Sequence, residues 1–71
     1  MYKNLEAELV RASISPEEAC EHLGICRKTY TQKMNGSTDW SLKELVSLRE
    51  FINDRLRTDY SLDYLFERYG N

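Results

Sequence analysis

Arg27, Lys28, Thr31 and Gln32 stand within a short stretch whose ionisable side chains are almost all basic. Arg and Lys can pair with guanine O6 and N7, Gln can pair bidentately with adenine, and Thr can touch a thymine methyl or a phosphate. Residues 25–43 hold Arg27, Lys28, Lys33 and Lys43 against Asp39 alone, although the whole chain carries a net charge of −2. For contact with a polyanion, a local basic face counts for more than the total. Lys33, Asn35, Ser37, Thr38 and Lys43 follow as candidates for holding a DNA backbone. Amides at the start of a helix near Ser15 to Glu18, and of another near Leu42 and Lys43, are further phosphate donors.

Other chemistry is weaker in the sequence. Cys20, His22 and Cys26 form a C-x-H-x3-C pattern, but positions two apart on a helix point to different sides, and a fourth ligand at a recognised spacing is missing. Cys20 reads as core packing. Cys26 reads as a substitute helix cap, with a redox-sensitive thiol as the sharper alternative, because a helix N-terminus lowers a thiol pKa. His22 has no nucleophile or acid partner nearby in sequence and reads as a surface residue. Glu17 and Glu18 suit the positive end of a helix dipole better than an acid–base pair. No enzyme activity, metal or cofactor is expected.

The elements that must position these residues are spelled by local punctuation. A first helix runs from about Tyr2 to Ala12, with Tyr2, Leu5, Leu9 and Ala12 as its apolar stripe and Glu6, Glu8 and Arg11 outside it. Ser15-Pro16-Glu17-Glu18 is a helix start, and Gly24 ends that second helix near Leu23. A third helix covers about Arg27 to Met34, with Tyr30 and Met34 inward, and stops at Asn35-Gly36. Ser41 and Glu44 make an S-x-x-E box for a fourth helix reaching about Arg57, with Leu45, Leu48, Ile52 and Leu56 inward. Trp40, just before that cap, fits a hydrophobic staple. Ser61 caps a last helix from Leu62 to about Arg68. The expectation is one all-α, five-helix domain over residues 1–71, with a helix-turn-helix over about 15–36.

The chain's 71 residues limit the core and leave little room for a deep catalytic cleft. No run of about 18 apolar residues is present, so no membrane span is expected. The polar start MYKNLEAEL does not read as a signal peptide. Two cysteines are too few for a disulfide scaffold, which favours a cytoplasmic setting.

The segment SPEEACEHLGICRKTYTQKMNG resembles the helix-turn-helix of the lambda repressor/Cro-type (Xre) family, especially its small phage and Gram-positive bacterial members. The flanks YKNLEAEL, WSLKEL and SLDYLF are similar to the family in the same order, so the likeness covers about residues 2–66. It implies a lambda repressor-like fold that binds operator DNA, often as a dimer, and regulates transcription. The residues matching the reading helix are Arg27, Lys28, Thr31 and Gln32. Cys20 departs from the family's usual Ala and keeps its small size. Cys26 departs from the usual Ser or Thr cap, and a thiol is a weak acceptor. NDRLRTDY also lengthens the end of the fourth helix. Tyr60, Tyr64, Phe66 and Tyr69 are candidates for a homodimer seam or a core edge. The alternative to DNA binding is a protein-interaction module on the same fold.

Overall fold

In the computed structural model, which describes residues 1–69, the chain is all-α, with five helices among those residues: α1 Lys3–Arg11, α2 Pro16–Leu23, α3 Arg27–Met34, α4 Leu42–Leu56 and α5 Leu62–Leu65. The α1 stripe is buried as its spacing predicts. α1 ends without a glycine. Ser13 takes φ +57°, its N–H donates to Val10 O and that of Ile14 to Leu9 O, and the Ile14 side chain is buried. These two bonds satisfy carbonyls that the helix end would otherwise orphan.

α2 begins where Ser15 Oγ accepts from the Glu18 N–H at 3.1 Å. It ends at Gly24, whose φ of +71° is the left-handed conformation that an L side chain resists. α4 carries a complete capping box between Ser41 and Glu44. It is the central element, packing against α1, α2 and α5. Leu5 of α1, Leu48 and Ile52 of α4 and Leu65 of α5 are fully buried. Burying side chains of this size contributes roughly 1.5–3 kcal/mol each.

Arg55 fastens α4 to α2 and to the end of α1. Its guanidinium donates to Ala12 O at 3.0 Å and to Glu18 Oε2 at 2.7 Å. The residues after α4 fold back through Asn53, which donates to Tyr60 O and accepts from the Thr58 hydroxyl and the Tyr60 N–H.

Three sequence expectations need correction. Glu8 is not on the outside of α1, because it is only 1% exposed. It continues the row of Leu5 and Ala12, which α5 covers, and its carboxylate accepts from Arg11 and from the Tyr64 hydroxyl at 2.8 Å. α5 stops at Leu65 rather than near Arg68. The Tyr69 N–H, which a longer helix would direct to Leu65 O, donates to Met1 O at 2.8 Å instead, so the tail lies across the N-terminus. Trp40 is a core residue rather than only a staple. Its ring meets Tyr30 and Phe66 edge-on, with centroids 6.2 and 5.8 Å away.

Candidate nucleic-acid interface

α3 has little apolar material of its own. Tyr30 is its buried anchor, and burial pushes that phenol up to about 12, so the ring packs as a neutral group. Met34 adds a half-buried contact. The helix lies against α2 across the Gly24–Cys26 turn, and its other side faces solvent.

On that side, Arg27, Lys28 and Thr31 are exposed and Gln32 is half-buried. Arg27 donates to Glu17 Oε2 at 2.8 Å, with both side chains largely exposed. Such a pair is worth roughly 0–1 kcal/mol and exchanges readily for a stronger anionic partner. Arg27 and Thr31 also border an open groove of about 420 Å³ between α1 and α3, floored by Leu9, Ile14, Tyr30 and Met34. Glu6 and Val10 line the same groove, and Val10 is 78% exposed, an apolar surface that the stripe pattern of α1 does not single out.

The backbone candidates divide into two groups. Asn35, Ser37, Thr38 and Lys43 are exposed, the first three on the turn between α3 and α4 and Lys43 in the first turn of α4. The Ser37 and Thr38 amides are committed to Gln32 O, and Asn35 Oδ1 also accepts from the Ser37 N–H. Asn35, Ser37 and Thr38 therefore offer hydroxyls and the Asn35 amide nitrogen rather than main-chain donors, and Lys43 offers its ammonium.

Lys33 belongs elsewhere, and its assignment to the DNA backbone is corrected. It is buried, and its ammonium donates to Glu44 Oε1 at 2.6 Å and to Asp39 O at 3.1 Å, 5.7 Å from the Trp40 ring centroid. The charge is neutralised inside the fold. Burial pushes the Glu44 carboxyl up, but hydrogen bonds from Lys33 and the Ser41 N–H outweigh it and hold the group below its ordinary value.

Cys26 occupies the start of α3, yet its thiol makes no cap bond to the helix. Sγ lies 3.2 Å from Thr29 Oγ1. That hydrogen bond and the backbone N–H groups of Thr29 and Lys28 hold the thiol below its usual range. Cys20 is buried against the core, with its pKa pushed up by that burial. His22 is exposed and stacks on Phe51 at 4.1 Å between centroids. Among the described residues, no three His, Cys, Asp or Glu side chains gather as a metal site, and no helix is long and apolar enough to cross a membrane.

Of the aromatic residues offered as a dimer seam, Phe66 is turned inward onto Tyr2 and Trp40. Tyr64 and Tyr69 each remain 37% exposed, and Tyr60 is half-buried. One residue near the candidate face has no local sequence signal. Arg68 reaches the α3–α4 turn from the tail, with Nη2 3.4 Å from the point where a Cβ on Gly36 would stand. Comparison with protein-family models, with curated proteins and with solved structures finds no match for the chain.

Proposed function

We propose that this protein binds double-stranded DNA in a sequence-dependent way, with α3 entering the major groove, and that it acts in the cytoplasm as a transcriptional regulator of the lambda repressor/Cro type. One observation carries the reading. Arg27, Lys28, Thr31 and Gln32 share the solvent side of a short helix that is anchored from behind by Tyr30 and stands against a second short helix. An α-helix fits the major groove, and residues near its N-terminus come closest to base edges. Asn35, Ser37, Thr38 and Lys43 then serve the backbone, and the N-termini of α2 and α4 add partial positive charge.

The test is selection of purified protein against a random duplex pool across a salt series. An enriched inverted repeat supports a dimeric operator binder, and a single enriched half-site supports a monomer. With the selected site in hand, Gln32→Ala should relax preference at one position at a cost of roughly 1–3 kcal/mol. Lys43→Ala should weaken all sequences alike and flatten the salt slope. The competing reading, a protein-interaction module, draws on the groove between α1 and α3 and on the Glu17 carboxylate that already neutralises Arg27. Absence of enrichment even at low salt would favour it.

A further inference from the structure

We propose that Arg68, on the tail after α5, is a phosphate-contacting residue of the DNA face and supplies the cation at the α3–α4 turn that Lys33 does not. The proposal rests on the DNA-binding reading above. Three contacts fix the side chain beside that turn. Arg68 Nε donates to Met1 Sδ at 3.2 Å, the guanidinium carbon stands 5.9 Å from the Tyr2 ring centroid, and Nη2 lies next to Gly36. The tail is itself held by the bond from the Tyr69 N–H to Met1 O.

Gly36 shows how close this approach is. Its φ is +87°, a left-handed conformation that an L side chain resists, and a Cβ there would stand 2.5 Å from Met1 Cε, so the end of the Met1 side chain would have to move aside. The neighbours of Gly36 in the turn are Asn35, Ser37 and Thr38, all exposed. Arg68 therefore adds a cation to a surface that otherwise offers hydroxyls and an amide.

The chemistry of Arg68 suits a phosphate diester. A thioether is a weak acceptor, and no carboxylate among the described residues forms an ion pair with the guanidinium. Among the described residues its Nη donors are therefore unspent, whereas the Lys33 ammonium is bound to Glu44 at 2.6 Å. A fork-shaped donor held in place by packing also loses less freedom on meeting a phosphate than a mobile lysine does. Glu67, beside Arg68 in the chain, and Asp39, which follows the turn, are both exposed, and neither makes an ion pair with a described residue.

The experiment titrates wild type, Arg68→Gln and Arg68→Lys against the selected duplex, or a random-sequence duplex where selection enriches none, from about 50 to about 200 mM salt. One phosphate contact contributes a slope of about −0.9 in log affinity against log salt. Arg68→Gln should flatten the slope by about that much, so that its deficit against wild type shrinks about threefold across the range. Arg68→Lys should keep the wild-type slope. An Arg68→Gln protein with wild-type affinity and slope overturns the proposal while leaving the DNA reading intact. A wild-type protein that binds no duplex overturns both. If Arg68→Gln does not fold, arginine modification by phenylglyoxal on the wild-type protein decides. Arg68 should be protected by duplex while Arg57, at the end of α4, is not, and equal reaction of Arg68 with and without DNA rejects the proposal.

Discussion

α3 and α4 begin in opposite ways. At the start of α4, Ser41 Oγ accepts from the Glu44 N–H, Glu44 Oε1 accepts from the Ser41 N–H at 2.9 Å, and the same oxygen accepts from Lys33 at 2.6 Å. At the start of α3, the Cys26 thiol pairs with the Thr29 hydroxyl and forms no cap bond of that kind. α4 also carries Leu48 and Ile52 into the centre of the core, while α3 has Tyr30 as its one buried aromatic. The scaffold helix is fixed by its own capping box and by the tie from Lys33 of α3. The candidate reading helix is held from behind by Tyr30 and Lys33 and leaves Arg27, Lys28 and Thr31 exposed.

The largest effect that could break this contrast is a truncation in each helix. Leu48→Ala should cost about 2–5 kcal/mol, the range for a fully buried leucine whose cavity collapses only in part. Thr31→Ala, on the open side of α3, should stay within about 0.5 kcal/mol. Urea unfolding of both variants is the measurement. Comparable losses would mean that the solvent side of α3 is part of the scaffold after all.

Next comes Glu44, where the two helices meet. Glu44→Ala removes the capping box and leaves the Lys33 ammonium buried without its carboxylate, so a loss of about 3 kcal/mol is expected. Glu44→Gln can keep the box, because glutamine serves at that position, but it removes the charge. Comparing the two separates capping from ion pairing. Adding Lys33→Met to Glu44→Ala should recover part of the loss, since no stranded charge then remains. A double variant less stable than Glu44→Ala would show that the lysine stem matters more than its charge.

The same carboxylates set the response to acid. Burial pushes Glu8 up, but hydrogen bonds from Arg11 and Tyr64 outweigh it, so Glu8, like Glu44, is held below its ordinary value in the fold. A depressed carboxylate stabilises the fold above its unfolded pKa of about 4.3, and that stability is lost as pH falls through the folded value. Tm should therefore change little from neutral pH down to about 5 and fall below about 4. Glu8→Gln and Glu44→Gln should each shallow that acid limb. An unchanged limb in both variants would place the acid sensitivity in other groups.

What the sequence could and could not reveal follows from the range of each interaction. The α2 and α4 starts, the Gly24 stop and the α1 stripe depend on residues within four positions of one another, and all were legible. The weakness of Cys26 as an acceptor was legible, because it is a property of one residue, but the reading of it as a substitute cap is corrected, since its thiol makes no cap bond. Glu8 was not legible, since α5 and Tyr64 bury it from the far end of the chain. Lys33 looked like one more surface cation because its partner Glu44 reads locally as a cap and nothing more. The early end of α5 and the position of Arg68 both depend on Met1, almost the whole chain away. Local pattern thus marks where the candidate reading helix lies, while the charges around it are sorted by distant contacts.

The smallest predicted effect tests the opening contrast most directly. Cys26→Ser places a strong acceptor where α3 begins, in a backbone conformation, φ −82° and ψ 165°, nearly the same as that of Ser15 and Ser41 at their caps. The new hydroxyl should take an N–H of the first turn and stabilise the protein by about 0.5–1 kcal/mol. Thr29 offers a competing partner, because its hydroxyl already meets the thiol at 3.2 Å, so Cys26→Ser combined with Thr29→Val separates the two. If the cap forms, the single variant gains stability and the Thr29 change alters that gain little. If the serine instead bonds to Thr29, the gain disappears in the double variant, and α3 is left held by Tyr30 and its neighbours without a cap.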